Sequence, residues 1–373
     1  MELSKFCEYT SRRIDSSSLT VDNYISTENM LQNKEGVVSA SKVPAEKAVE
    51  YLPGDILFSN IRPYFKKIWL ADKKGGCSSD VLCIRALSGT DSTYLYYLLS
   101  QDAFFDYVMT GAKGSKMPRG DKSQIMQWEV ALPGIDEQRR IASVLKSFDD
   151  KITLNNRINH NLEKVNSSIF KSFEDRYSHN WPECSLRDYC VDIIRGNIPE
   201  YVKEGGVPIL NQKVNKGSIL DTQYYKFNSP SALVIEEKFS RKGDVLLNSL
   251  GQGTLGRVHL YISDSKVIID QFITILRTSS FTKSAYLAYK LCSPEYQMII
   301  ENSVTGSTGM WVLTINNIRK LKIHCPTDSD FNVISGIIDN NCAQMARNVS
   351  ENYNLGVLRD SLLPKLFQTD TSY

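Results

Sequence analysis

The segment Gly111-Ala112-Lys113-Gly114-Ser115-Lys116-Met117-Pro118-Arg119-Gly120-Asp121-Lys122 places four cations, Lys113, Lys116, Arg119 and Lys122, within twelve residues. Its other residues are mostly small or flexible, so main chain and side chains can both approach a run of phosphates. Upstream, Asn60-Ile61-Arg62-Pro63-Tyr64-Phe65-Lys66-Lys67 contributes Asn60, Arg62, Lys66 and Lys67. Asn, Gln and Arg are side chains whose donors and acceptors match base edges in a major groove. A second set lies further along the chain. It comprises Asn211, Gln212 and Lys213, then Asn248, Gln252, Thr254 and Arg257, then Ser307, Thr308 and Trp311. Taken singly, each of these residues reads better as part of a solvated turn.

Other chemistries fit the sequence less well. Gly251-x-Gly253-x-x-Gly256 has the spacing of a dinucleotide-binding turn, but that mechanism needs a helix N-terminus after the glycines. Arg257-Val258-His259-Leu260-Tyr261-Ile262 follows instead, with the alternation of a strand. Glu236-Glu237-Lys238, with Asp221 upstream, imitates the acidic pair and lysine of a Mg²⁺-dependent nuclease. The first half of the chain has no equivalent of it. No Walker loop, Asn-Pro-Pro-Tyr-type methylase motif or Gly-x-Ser-x-Gly elbow occurs. Eight cysteines without a Cys-x-x-Cys pair, and four histidines, argue against zinc and for reduced, buried thiols. The expectation is a binding protein with no catalytic, cofactor or metal residues of its own.

The 373 residues suggest about two domains. Lys plus Arg (44) nearly balances Asp plus Glu (42), for a net charge of +2, so any nucleic-acid contact must come from local patches. An apolar share of 42% with 23% charged residues is that of a globular chain rather than a disordered one. No apolar run is long enough to span a membrane, and Met1-Glu2-Leu3-Ser4-Lys5 lacks the apolar core of a secretory signal. A cytoplasmic location is expected.

These loops sit on a scaffold that occurs twice. Leu3-x-x-Phe6-Cys7 returns as Leu186-x-x-Tyr189-Cys190, and Gly54-Asp55-Ile56-Leu57 as Gly243-Asp244-Val245-Leu246. Tyr94-Leu95-Tyr96-Tyr97 returns as Tyr286-Leu287-Ala288-Tyr289, Thr110-Gly111-x-x-Gly114 as Thr305-Gly306-x-x-Gly309, and Asn161-Leu162 as Asn354-Leu355. All five correspondences keep their order, which marks an internal repeat. Each copy reads as a mixed region of short strands and one short helix, near 94–108 or 286–300, followed by a long helix. The scaffold repeats while the polar loops diverge. Asn60–Lys67 is matched to Asn248–Leu255.

The long helices carry stripes at alternating steps of four and three. The first runs through Ile141, Leu145, Phe148, Ile152, Asn155, Asn159, Leu162, Asn166, Ile169 and Phe173. The second runs through Ile334, Ile338, Asn341, Met345, Asn348, Asn352, Leu355, Arg359, Leu362 and Leu366. Asn on a seam costs stability but selects register and partner. Antiparallel pairing sets Asn155 on Asn352, Asn159 on Asn348 and Asn166 on Asn341, with Phe148 opposite Arg359 as the poor match. Parallel pairing sets Phe148 on Asn341 and Asn166 on Arg359, so the antiparallel arrangement is favoured. The alternative is that each helix packs on its own globular part with the asparagines at the solvent edge. A helix from Ile141 to Phe173 is on the order of 50 Å long, the length of a spacer.

With these residues in place, the chain resembles the specificity subunit of a bacterial type I restriction–modification enzyme. Pro133-Gly134-Ile135-Asp136-Glu137-Gln138-Arg139-Arg140-Ile141 resembles that family's entry into its first central helix, and Leu362-Leu363-Pro364-Lys365-Leu366-Phe367 the end of its second. The two Gly-Asp-x-Leu segments, and Trp181-Pro182 with Leu186, resemble parts of its target recognition domains. Asp330-Phe331 departs from Glu137-Gln138 at the second helix entry, and the first copy lacks a Trp-Pro opening. The resemblance implies an α+β fold, with two pseudo-repeated target recognition domains separated by two long helices in an antiparallel coiled coil. The segments are 1–136 (first recognition domain), 137–176 (first helix), 177–329 (second recognition domain) and 330–373 (second helix). It further implies that each domain reads half of a split double-stranded DNA sequence. Two methylase subunits carrying S-adenosylmethionine would dock on the chain, and translocating restriction subunits using ATP and Mg²⁺ would join them. The competing expectations are a self-contained Mg²⁺-dependent endonuclease built on Asp221, Glu236, Glu237 and Lys238, and a protein-binding scaffold without DNA affinity.

Overall fold

A computed structural model of the chain describes residues 1–221, 224–306 and 311–367. It divides into two compact units. One is Met1–Ile152 with Tyr353–Tyr373, described to Phe367, and the other is Thr153–Asn352.

The first unit is organised by a four-stranded antiparallel sheet, in the order Cys7–Tyr9, Val81–Ala86, Ile56–Ser59, Ile68–Leu70. The second unit repeats it as Asp192–Arg195, Ile273–Arg277, Val245–Asn248, Val258–Leu260. Each unit adds a smaller mixed sheet. The central strands Ile56–Ser59 and Val245–Asn248 are buried throughout, because both of their faces are covered. Ile56 and Phe58 enter one apolar core while Leu57 enters another. Val245 and Leu247 are likewise separated from Leu246. Successive strand side chains point to opposite faces, so two cores require the unbroken apolar run seen in the sequence.

The repeated Gly-Asp pair builds the turn into this strand. Gly54 and Gly243 hold φ values of +90° and +93°, where a side chain is disfavoured. Asp55 accepts the Leu52 N–H at 2.7 Å and Asp244 the Arg241 N–H at 2.8 Å. Each carboxylate also grips an arginine from the neighbouring strand with two bonds. These are Arg85 at 2.7 and 2.6 Å and Arg277 at 2.8 and 3.1 Å. The motif is therefore part of the framework.

The single short helix expected in each copy is two. Ser92–Leu99 is followed by Asp102–Thr110, and Phe281–Cys292 by Pro294–Asn302. Pro294 has no N–H to continue a helix but suits a first turn, and Ser293 caps the new one. In the first unit the Ser100 hydroxyl returns to the Tyr96 carbonyl at 2.7 Å and Gln101 is extended.

The long helices span Ile135–Tyr177 and Ser335–Phe367. They begin differently. Gln138 is buried and ties the first helix entry to Gly89, Asp91 and Pro133. The second is preceded by a turn of helix, Asp328–Asn332, closed by a Thr327–Asp330 capping box, and Phe331 enters the core. Within the second unit the helices meet through amides. The Asn155 amide donates to Asn352 at 2.9 Å and to Glu351 at 2.8 Å, Asn348 donates to Asn159 at 2.7 Å, and Asn341 donates to Asn166 at 2.8 Å. The Asn155 side-chain oxygen is buried without a partner. In the first unit, Arg359 turns from Phe148 to the adjacent Asp149, at 2.5 Å, and Asp149 also accepts the Tyr97 hydroxyl at 2.5 Å. Ile141, Ala142 and Leu145 share an apolar core with Leu363.

This seam gives a first prediction. Asn348→Leu leaves the Asn159 carbonyl oxygen facing hydrocarbon and should cost about 1–3 kcal/mol, whereas adding Asn159→Leu should recover most of that loss. Denaturant unfolding of both single variants and the double variant tests it. A double variant no better than Asn348→Leu alone would refute the pairing.

The sequence suggested eight reduced cysteines, but one pair departs from that. Cys184 and Cys325 form a disulfide, with Cα atoms 6.1 Å apart. They are brought together by the pairing of Glu183–Ser185 with Lys322–His324. The other six cysteines are free.

Candidate nucleic-acid interface

In the first unit, the loop after Ile56–Ser59 and the basic hairpin are strapped together. Ile61 bridges Arg119, the Arg62 N–H donates to the Pro118 carbonyl at 2.8 Å, and Lys113 and Arg119 exchange main-chain bonds at 2.9 Å. Most of the cations there already have partners. Lys113 pairs with Asp121 at 3.1 Å, Arg119 with Asp80 at 3.0 Å, and Lys66 with Asp102 at 2.9 Å. Lys34, which the sequence reading did not single out, shares Asp102 at 3.2 Å. The Lys67 ammonium is tied to the Thr27 carbonyl at 2.6 Å, and burial lowers its pKa. Lys116 and Lys122 are exposed and make no ion pair among the described residues. Asn60 is buried and, among the described residues, its side-chain oxygen has no partner; the Arg62 Nε is likewise buried with no partner among them.

The second unit builds the same arrangement, with Leu250 and Thr305 both bridging Val312. Its polar residues are used differently. Asn248 is fully buried, donating to the Gln212 and Thr254 carbonyls at 3.0 Å each and accepting from Asn215 at 3.0 Å. Asn211 is buried, donating to the Tyr224 carbonyl at 2.7 Å and accepting the Lys213 N–H at 2.8 Å. Both asparagines hold the loops from beneath. Thr254 bonds back to Gly251, and Arg257 reaches the carbonyls of Asn215 and Gly253 at 3.3 and 3.2 Å. His259 lies below them, donating to the Gly217 carbonyl at 2.7 Å. Burial pushes its pKa down to about 4, so the ring is neutral. Lys213 and Gln252 are exposed, Gln212 is half-buried, and Trp311 is 51% exposed. Ser307 and Thr308 lie outside the described residues.

Strand register corrects the matching of the two loops by one residue. Ser59 pairs with Val81 as Asn248 pairs with Ile273, so Asn248 corresponds to Ser59 and Ser249 to Asn60. At the far end, the Ser59 N–H meets the Lys67 carbonyl where the Asn248 N–H meets that of Arg257. Lys66 therefore corresponds to Gly256, and Arg62 to Gly251. Sequence matching slipped because it paired the two asparagines, Asn60 and Asn248, instead of carrying on the offset of the Gly-Asp pair; the extra residue of the second loop lies between Gly251 and Gly256.

The alternative sites gain no support from the geometry. Gly251, Gly253 and Gly256 all hold positive φ in a turn that leads into the Val258–Leu260 strand, with no helix to face a phosphate. Glu236 pairs with Lys266 at 2.6 Å and Asp221 lies 3.6 Å from Lys216. Among the described residues no three His, Cys, Asp or Glu side chains converge as a metal site would need. None of their helices is long and apolar enough to cross a membrane.

Residues 1–164 match the model of the type I restriction modification DNA specificity domain. The chain is 23% identical over 300 residues to the type I restriction enzyme MjaIX specificity subunit of Methanocaldococcus jannaschii, an alignment covering 74% of this chain and 68% of that one. Residues 1–164 thus carry a type I restriction modification DNA specificity domain, and the chain as a whole is similar to specificity subunits of type I restriction enzymes. The EcoDI specificity subunit of Escherichia coli is 27% identical over 153 residues, which is 40% of this chain and 32% of that one. The fold is shared with a solved structure. The crystal structure of the type I restriction–modification system S subunit from M. genitalium superposes with a TM-score of 0.60 at 16% identity, covering 100% of this chain and 96% of that one.

Proposed function

We propose that this chain is the DNA-reading subunit of a cytoplasmic type I restriction–modification enzyme, with each unit recognising one half of a two-part double-stranded sequence. Two methylase subunits dock on it, and translocating nuclease subunits join them for restriction. S-adenosylmethionine, ATP and Mg²⁺ belong to those partners, and this chain contributes no catalytic group. The observation that carries the reading is one sheet built twice in the same strand order, with a different set of polar side chains on the matching loops. A scaffold kept while its loops change is what reading two unlike half-sites requires.

The ion pairs refine the expected phosphate contacts. Lys116 and Lys122 are free to displace counterions, whereas Lys113 and Arg119 must first leave Asp121 and Asp80. Neutralising Lys116 and Lys122 together should reduce the slope of log K against log salt by about 1.8, from roughly 0.9 per phosphate contact. Neutralising Lys113 and Arg119 should change it less. The check is a salt titration of duplex binding by the full chain. An unchanged slope in the Lys116/Lys122 variant would remove the basic hairpin from the interface.

A further inference from the structure

Two positions of the recognition loop have a left-handed backbone in both units. The second unit fills both with glycine, Gly251 at φ +112° and Gly256 at +84°. The first unit fills the same positions with cations, Arg62 at +50° and Lys66 at +50°. Residues with a Cβ adopt this conformation at a cost, and such strain collects where a ligand is clamped. Lys66 is accounted for by Asp102. Arg62 is not. Among the described residues its guanidinium has no carboxylate and no hydrogen-bond acceptor, and it lies over the Phe65 ring at 6.0 Å. Its Cα is nevertheless fixed, because the Arg62 N–H is held by the Pro118 carbonyl of the hairpin. Two residues earlier, the buried Asn60 oxygen also lacks a partner, packed where a Cβ on Gly120 would come within 3.0 Å.

We propose that Arg62 is the guanine-reading side chain of the first unit, an assignment that rests on the DNA-recognition reading above. A guanidinium presents parallel donors in a rigid fork, and guanine O6 and N7 are the matching acceptor pair on a major-groove edge. The strained backbone aims this fork, and the absence of a carboxylate leaves it unspent until a base arrives. The second unit has glycine here, so its half-site is read by other side chains.

Arg62→Gly is the decisive variant, because the other unit shows the loop closing on glycine at this position. The full chain and the variant are each used to select duplexes from a random library, and the bound sequences are compared. Wild type is expected to select a two-part motif. The variant should keep one half intact and lose preference for a guanine in the other. Its affinity for the parent duplex should fall about 5- to 150-fold, with an unchanged salt slope. Its thermal midpoint should not fall, since strain is relieved. Lys66→Gly should alter no base preference. Retention of every guanine by Arg62→Gly would overturn the assignment. So would a uniform loss across all sequences with the salt slope reduced by about one, which marks a phosphate contact. Selection of no motif by wild type would instead remove the DNA-recognition reading, and the assignment with it.

Discussion

Asp244→Ala should destabilise the second unit by about 3–5 kcal/mol, the loss expected when one partner of a buried ion pair is removed. Asp244 and Arg277 are 2% and 9% exposed and joined by two hydrogen bonds. The Arg277 Nη2 also donates to the Phe239 carbonyl, and its Nη1 is already buried without a partner. Without the carboxylate the guanidinium stays in the interior with no counter-charge, and the turn at Gly243 loses its acceptor for the Arg241 N–H. The matching Asp55→Ala in the first unit should cost less, because Arg85 is 35% exposed and can reach water. Replacing Asp244 and Arg277 together by apolar residues of similar size should recover much of the loss, since the pair's own dehydration then disappears. Urea unfolding followed at equilibrium measures all of these. A loss below about 1 kcal/mol for Asp244→Ala would show that the pair does not anchor the strand.

Phe173→Ala should cost about 3–5 kcal/mol, as the removal of a buried ring from a filled core does. Phe173 ends the seam stripe of the first long helix and packs against Trp181 at 4.8 Å, Tyr177 at 5.6 Å and Phe331 at 5.9 Å. Tyr177 ends the same helix, Trp181 lies just beyond it and Phe331 comes from the turn before the second long helix, and the cluster they form is continuous with the sheet core. Trp181 is its nearest aromatic neighbour, which makes tryptophan fluorescence a suitable probe of the transition. A variant that unfolds with wild-type midpoint would mean that the cluster closes over the gap without loss.

Some of this architecture was legible before any coordinates. The ordered matches announced two copies of one unit, and both copies build the same strand order, although the hairpin bridges set Thr305 against Lys113 rather than Thr110. The stripe spacing announced two long helices; the first extends beyond its stripe, to Ile135–Tyr177, while the second, Ser335–Phe367, begins just after the stripe's first residue, Ile334. Both signals are periodic or repeated along the chain, so they survive ignorance of what touches what. Arg85 and Arg277 were readable too, since each follows an apolar run at a similar distance after its Gly-Asp pair. They were passed over because a lone arginine at a strand end carries no mark of its partner.

The functional side chains were less legible. Asn60, Asn211 and Asn248 look alike as residues in polar loops. Asn211 and Asn248 spend their amides holding neighbouring loops, while the Asn60 oxygen has no partner. The four cations of the basic hairpin also look alike, but Asp121 and Asp80 engage two of them. The matching of the two loops also went astray between like residues, since Asn60 and Asn248 look equivalent, whereas the offset of the Gly-Asp pair and the strand ladder both set Arg62 on Gly251.

The sequence by itself therefore determined the duplication, the helical seams and the apolar strands, because these follow from spacing along one chain. Only the tertiary structure decided which amides and cations are free, because a polar group's availability depends on partners that sheet register brings from distant segments. A donor is open to a ligand only when no such partner has taken it.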